Sequence, residues 1–597
     1  MARHSKRSPT KLLPLLAQLF RHISPRRRFQ FGLMIGLTLI SSVAEVVSLG
    51  AVVPFVGILT QPEKIFNGTI FSGYIHWMGI TAASELVLHL AIAFSVAALF
   101  AAGMRLLLLW VSIRLSNVTG ADLSVEIYRK TLYQPYLVHV ARSSSEIISG
   151  ITQKVTAATS VLTSLITVVT SAALFVSITI TLFFIDPYVA LIAMMVFGTG
   201  YCLIAWKSRM RLRSNSQCIA EQQTQVVKSL QEGLGAIRDV LLDGTQTIYT
   251  NIYKNSIQQL QKATGQNQYI TLGPRYVMEA LGMILVAIFA YGLGNQPGGI
   301  GAALPVLGAL ALGAQRLMPL LQQLYGNWSV VAGSQATLKD VLALLDQPLP
   351  DYIHRLQPQP IVFKHEVRFE SVCFRYGKEG AWILKNISLS IPKGVRIGFI
   401  GKTGSGKSTL LDLFMLLLEP LSGQIFVDGS LLTAEDSRSW QIAIAHVPQH
   451  IYLSDATIAE NIAFGVERHR IDLELVKSAA KQAQLADFIE GSPDGYDTFV
   501  GERGVRLSGG QRQRIGIARA LYKKAQILIF DEATSALDTD TERAVMSAIE
   551  SLNRELTILM VAHRLSTLQK CDVIVQLEAG SVSTSGPYEK IAIKTSD

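Results

Sequence analysis

The sequence predicts a polytopic α-helical membrane domain fused to a C-terminal α/β domain of the phosphate-loop type. Three observations predict it. Residues 29–330 are dominated by long apolar runs, and residues 361–597 alternate short apolar strands with helical segments. The second half also carries Gly401-Lys402-Thr403-Gly404-Ser405-Gly406-Lys407-Ser408-Thr409, set between a strand-like run and a helical pattern. A chain of 597 residues is too long for one core. Its mean hydropathy of +0.33 is high for a soluble protein.

Residues 1–28 form a basic N-terminal segment, with Arg3, Lys6, Arg7, Lys11, Arg21, Arg26, Arg27 and Arg28 ahead of the first long apolar run. Such a cluster holds an N-terminus in the cytoplasm, and it accounts for much of the +10 net charge without a nucleic-acid partner. Residues 10–23 read either as an interfacial amphipathic helix or as a basic disordered arm. Six runs reach the roughly 20 apolar residues that cross a bilayer, near 29–59, 85–115, 150–183, 187–207, 272–294 and 300–328. The connections 60–84, 184–186 and 295–299 hold a single Lys or Arg, Lys64, whereas 116–149 and 208–271 hold many. The asymmetry predicts that both termini are cytoplasmic, and the six spans exclude a soluble protein acting on nucleic acid. Four scattered cysteines provide no metal-ligand spacing and no disulfide framework.

A linker over 331–360, marked by Gln347-Pro348-Leu349-Pro350 and Pro358-Gln359-Pro360, leads into the soluble domain at 361. Strands are expected at 396–400, 442–447, 526–530, 557–561 and 573–577, alternating with helices as in a largely parallel sheet. In the phosphate loop, glycines let backbone N–H groups turn inward around phosphates, and the following helix adds its positive end. Lys407 is placed to reach the β- and γ-phosphates and Ser408 to offer its hydroxyl to Mg²⁺. Ile527-Leu528-Ile529-Phe530-Asp531 reads as a buried strand ending in a metal-side carboxylate, and Glu532 beside it as the group that polarises an attacking water. Leu507-Ser508-Gly509-Gly510-Gln511 opens a second helix N-terminus suited to anions.

Taken in this order and spacing, these motifs resemble the ATP-binding cassette (ABC) family over nearly the whole chain. The resemblance implies ATP and Mg²⁺ as cofactors. It makes 401–409 the phosphate loop, including Thr403, Gly404 and Ser405, and Ser508, Gly509, Gly510 and Gln511 the signature. It makes Tyr376 the adenine-stacking aromatic, and Gln449 the glutamine that contacts Mg²⁺ and water. Asp538 falls in the loop between nucleotide domains, and His563 is the switch histidine. Six spans and one cassette resemble an exporter half-transporter acting as a homodimer, with the phosphate loop of one copy facing Ser508 of the other. Residues 133–136 and 236–242 would lie near its coupling helices.

The transported substrate is read from ionisable residues in apolar runs, which are costly there and often functional. Arg105, Arg275 and Arg316 suggest a cationic ring for a phosphate-bearing amphiphile, with Glu45 and Glu279 nearby. The alternative is snorkelling arginines and an Arg275–Glu279 pair one helical turn apart. Short stretches such as Glu45–Phe55 and Arg316-Leu317-Met318-Pro319 resemble the bacterial lipid-linked oligosaccharide flippase branch. That resemblance implies flipping of a polyprenyl-diphosphate-linked glycan across a bacterial inner membrane. A multidrug, phospholipid or lipid A exporter of the same architecture is the alternative, and an ATP-gated channel or membrane regulator is the alternative of another class.

Overall fold

The computed structural model describes residues 12–60, 83–185, 187–294, 299–350, 353, 358–377, 379–532, 540, 542–543, 546–547, 555–562 and 568–594. Asp538 and His563 lie outside these residues. The chain divides into two compact units, one from Met1–Gln134 and His139–Leu349, the other from Pro135–Val138 and Pro350–Asp597.

Among the described residues, the regular structure of the first unit is helical. Its long elements are Pro25–Thr60, Ala83–Leu132, Val155–Ile185, Pro187–Gly235, Gln246–Leu272, Pro274–Gly294 and Gly299–Gly333. The Ala83–Leu132 helix has 50 residues, or about 75 Å at 1.5 Å per residue, more than twice the ~30 Å of a hydrocarbon layer. Its polar C-terminal part therefore continues past the apolar span. Among the described residues, four helical stretches are long and apolar enough to cross a membrane: Pro25–Ser48, Leu86–Leu132, Ser144–Thr181 and Gln246–Ile288. The expected number of six is not reached on that measure. The remaining expected spans, 187–207 and 300–328, fall on the Pro187–Gly235 and Gly299–Gly333 helices, where part of the apolar side chains lies outside the described residues.

Residues 12–22 are the helix rather than the disordered arm. Leu15, Leu19 and Ile23, spaced four apart, are buried in the cluster that also holds Leu342 and Leu345. Gln18 Nε2 donates to Asp346 at 2.5 Å, and His22 Nε2 lies 2.8 Å from the other carboxylate oxygen. The Gln335–Leu345 helix is thus gripped at its C-terminal end. Lys130 Nζ also donates to the Leu345 carbonyl at 2.5 Å, a cation meeting the negative end of a helix. A π-helical turn, Gly150–Lys154, buries Lys154 against Asp340 at 2.6 Å.

The second unit holds two sheets. An antiparallel sheet orders β2 (Leu384–Pro392), β1 (Glu366–Phe374), β4 (Ser422–Val427) and β5 (Ser430–Leu431). The larger sheet orders β10 (Ser581–Gly586), β9 (Val573–Glu578), β3 (Arg396–Ile400), β8 (Thr557–Val561), β7 (Ile527–Asp531) and β6 (Ile444–Val447), parallel except at β10. Strands β3, β7 and β8 are buried along nearly their whole length, as expected of parallel strands covered on both faces. Leu410, Leu413 and Phe414 of the Lys407–Phe414 helix pack on one face with β1 and β2 residues. Ile515, Ile517 and Ala518 of the Gly509–Tyr522 helix pack on the other. Phosphate loop, Gln449 and Asp531–Glu532 consequently emerge at the same, C-terminal edge of parallel strands, where open α/β sheets bind ligands.

Candidate functional sites

The nucleotide-side residues converge at that edge. Between β3 and the Lys407–Phe414 helix the loop turns through Gly401 (φ 153°), Gly404 (φ 83°) and Gly406 (φ 101°). A Cβ at Gly401 would stand 2.4 Å from the Leu577 carbonyl oxygen, so at this position glycine is required by space as well as by conformation. Lys407 Nζ donates to the carbonyls of Gly401 at 2.7 Å and Lys402 at 3.2 Å, folding its charge back over its own loop. Ser405 Oγ is buried with no hydrogen-bond partner among the described residues. A buried hydroxyl without a partner and an ammonium held over a glycine loop at a helix N-terminus are what a phosphate group satisfies. The donor set therefore fits a nucleotide. Ser408 is exposed on the first helical turn and Thr409 is buried beneath it, which leaves the Ser408 hydroxyl for a cation.

Gln449 follows β6 and Glu532 follows β7, the adjacent strand. Gln449 Nε2 donates to Glu532 Oε2 at 2.6 Å. Glu532 sits at φ 52°, a left-handed conformation that a non-glycine residue adopts at a cost. Asp531 is the last residue of β7, in register with Val561. Burial and the charge of Asp531 raise the Asp412 carboxyl from its ordinary range to about 6. Asp412, on the helix that begins at Lys407, carried no sequence signal beyond its place in a buried helix.

Tyr376 follows β1. The residue is 39% exposed and its ring meets Phe374 edge-on with centroids 5.0 Å apart, which leaves a face for a planar ligand. Ser508 caps the Gly509–Tyr522 helix, its Oγ accepting from Gln511 N at 3.2 Å while Gln511 Oε1 accepts from Ser508 N at 2.8 Å. The side chain of Gln511 is thus engaged within its own chain, while Gly509 and Gly510 form the first helical turn.

In the helical unit the carboxylates and guanidiniums pair. Arg105 Nε lies 3.3 Å from Glu45 Oε2, and Glu45 is 3% exposed although it stands in a span. Arg275 Nε donates to Glu279 at 2.7 Å, one turn away on the same helix. Among the described residues Arg105 and Arg275 thus stand in two neutralised pairs, the second being the one-turn pair expected as the alternative to a cationic ring. A buried carboxylate in an apolar bundle recruits the nearest guanidinium, because leaving it unpaired in a low-dielectric site is costly. Arg316 lies on the Gly299–Gly333 helix, and its side chain is outside the described residues.

Arg105 and Glu45 line a cavity of about 310 Å³ between the Pro25–Thr60, Ala83–Leu132, Val155–Ile185 and Gly299–Gly333 helices. Arg275 and Glu279 are not part of its wall. The sequence reading missed the other polar groups of this cavity, among them Thr170, Ser171, Gln315 and Gln323. Uncharged residues inside apolar runs raise hydropathy little, but the i, i+8 spacing of the two glutamines was a readable sign of one helix face.

Comparison with known proteins covers both units. The family model described as "ABC transporter transmembrane region" matches residues 47–294, and the one described as "ABC transporter" matches residues 384–535. An ATP-dependent lipid A-core flippase of Cupriavidus metallidurans is 31% identical over 565 residues, covering 92% of this chain and 91% of the relative. The protein of that name from Ralstonia nicotianae is 32% identical over 493 residues, 80% of each chain. A putative multidrug export ATP-binding/permease protein of Staphylococcus aureus is 33% identical over 427 residues, 69% of this chain and 71% of its own. Among solved structures, that of a bacterial Atm1-family ABC exporter with ATP bound superposes with a TM-score of 0.74 at 24% identity, covering 96% of both chains. This last likeness concerns the fold.

Proposed function

The chain belongs to the ABC transporter family as an exporter half-transporter, a membrane ATPase that uses ATP and Mg²⁺ to drive transport; from that premise we propose that it flips an amphipathic glycolipid. The observation that carries the proposal is the cavity in the helical unit, walled by Arg105, Glu45 and uncharged polar side chains together with leucines and isoleucines. Polar groups in a bilayer interior are retained where they meet a polar cargo. A neutral hydrophobic drug makes no use of an ion pair with an exposed guanidinium and a polar wall. The names of the lipid A-core flippases favour an acylated, phosphorylated saccharide over the polyprenyl-diphosphate-linked glycan that the short sequence stretches suggested.

One phosphate loop and one signature per chain support a homodimer in a bacterial inner membrane, with both termini cytoplasmic and Ser508 of a second copy completing each site. In that reading Lys407, the loop N–H groups and Ser405 bind the phosphates, Tyr376 stacks on the base, and Ser408, Gln449 and Asp531 hold Mg²⁺. Bound Mg²⁺ draws negative charge from the phosphate oxygens. Glu532, oriented by Gln449, accepts the proton of the attacking water; by motif alone, His563 is assigned to the γ-phosphate and Asp538 to the loop between nucleotide domains. Domain limits of 1–28, 29–330, 331–360 and 361–597 belong to the same proposal.

The test is ATPase activity in nanodiscs against added lipid. Glycolipid with a phosphorylated acyl-disaccharide should stimulate hydrolysis, and Arg105→Ala should abolish that stimulation. Stimulation by unrelated neutral amphiphiles but by no glycolipid would favour a multidrug exporter.

A further inference from the structure

Resting on the glycolipid reading, we propose that Gln315, Gln323 and Thr170 form a neutral hydrogen-bonding wall that recognises hydroxyl or amide groups of the saccharide headgroup. Gln315, Pro319 and Gln323 all line the cavity and recur every four residues, so they present one face of the Gly299–Gly333 helix to it. Thr170, on the Val155–Ile185 helix, lines the same cavity, and its Oγ1 is buried with no hydrogen-bond partner among the described residues. Its neighbour Ser171 donates to Gln323 Oε1 at 2.8 Å. That bond fixes which end of the Gln323 amide is committed, and among the described residues its Nε2 has no acceptor, leaving its N–H donors for a ligand.

The chemistry of the wall selects its ligand. The Arg105 charge is offset by Glu45 at 3.3 Å, so the cavity presents dipoles rather than net positive charge. Phosphate, which is held by uncompensated cations and convergent N–H groups, is poorly served here. Hydroxyl and acetamido oxygens are well served by the Gln323 amide, and hydroxyl protons by the Gln315 carbonyl and Thr170 Oγ1. Leu108 and Ile166 in the same cavity offer contact to the C–H faces of a pyranose ring. Size agrees. About 310 Å³ is at the lower end of ligand pockets, which run from roughly 300 to 1,000 Å³. The eight steps from Gln315 to Gln323 rise about 12 Å. A sugar unit fits such a volume, whereas a whole lipid with several acyl chains does not, so phosphates and chains stay outside it.

The experiment measures lipid affinity of the full-length protein in nanodiscs, by half-saturation, for two probes. One is an acylated glucosamine-disaccharide phosphate and the other is phosphatidic acid, which has charge and chains but no sugar. Gln323→Leu should weaken the saccharide lipid about 5- to 10-fold, and the near-isosteric Thr170→Val about 3- to 5-fold, as for loss of one or two hydrogen bonds. Phosphatidic acid affinity should stay the same in both variants, which also reports that they fold. Unchanged saccharide-lipid affinity in both variants overturns this inference and leaves the glycolipid reading standing, as does an equal loss for the two probes in both variants. A wild-type protein that binds phosphatidic acid and not the saccharide lipid overturns the glycolipid reading, and the wall with it.

Discussion

Glu532 brings two observations together, a left-handed backbone and a 2.6 Å bond from Gln449. Backbone strain at a polar edge persists when the surroundings hold it in place, and a group so held is suited to general-base work. Glu532→Gln should lower steady-state ATP hydrolysis by at least about 100-fold while leaving nucleotide affinity close to that of the wild type, read by phosphate release and by nucleotide binding on the same preparation. Asp412 supports a prediction of a different kind. Its carboxyl titrates at about 6 in the fold, above the 3.8 of an ordinary aspartate. A raised carboxyl favours the fold most below the unfolded value and loses that contribution as pH rises through about 6. Asp412→Asn should therefore raise the melting temperature of the nucleotide-binding unit at pH 8 and leave it nearly unchanged at pH 4. The reverse order of the two shifts would show that Asp412 is stabilised as an anion.

At the scale of elements, the N-terminal helix is held by its buried stripe. Leu19, fully buried, should cost about 2–5 kcal/mol on replacement by alanine, whereas Leu13, 79% exposed, should cost little. Thermal unfolding of the two variants checks the contrast. The same elements show what sequence conveys. Expected strands at 396–400, 442–447, 526–530, 557–561 and 573–577 match β3, β6, β7, β8 and β9 within two residues, because a buried parallel strand is a short apolar run bounded by polar turns. The phosphate loop was legible because its glycines and its lysine have a fixed spacing. The wall of the membrane cavity was not. Whether Arg105 stands free or beside Glu45 depends on how the Pro25–Thr60 and Ala83–Leu132 helices are rotated against each other, and rotation is set by packing. Arg275 and Glu279 were readable as a pair because a single helix places residues four apart on one side.

For the whole molecule, ATP hydrolysis in the nucleotide-binding unit drives transport, as in the family of ATP-driven exporters to which the chain belongs. In a homodimer, each ATP site needs Lys407 from one copy and Ser508 from the other. Co-expressing Lys407→Ala and Ser508→Arg chains should therefore restore one intact composite site in mixed dimers, with hydrolysis well above that of either variant alone. No recovery in purified mixed dimers would show that the sites are not shared in this way. The central claim is that hydrolysis at Glu532 moves a saccharide-bearing lipid across the bilayer. The most direct measurement is translocation of a labelled acyl-disaccharide phosphate in proteoliposomes, followed by its accessibility to a membrane-impermeant reagent. The account predicts ATP-dependent translocation by the wild type and none by Glu532→Gln. Wild-type protein that hydrolyses ATP in the presence of the lipid and leaves it in its original leaflet would contradict it.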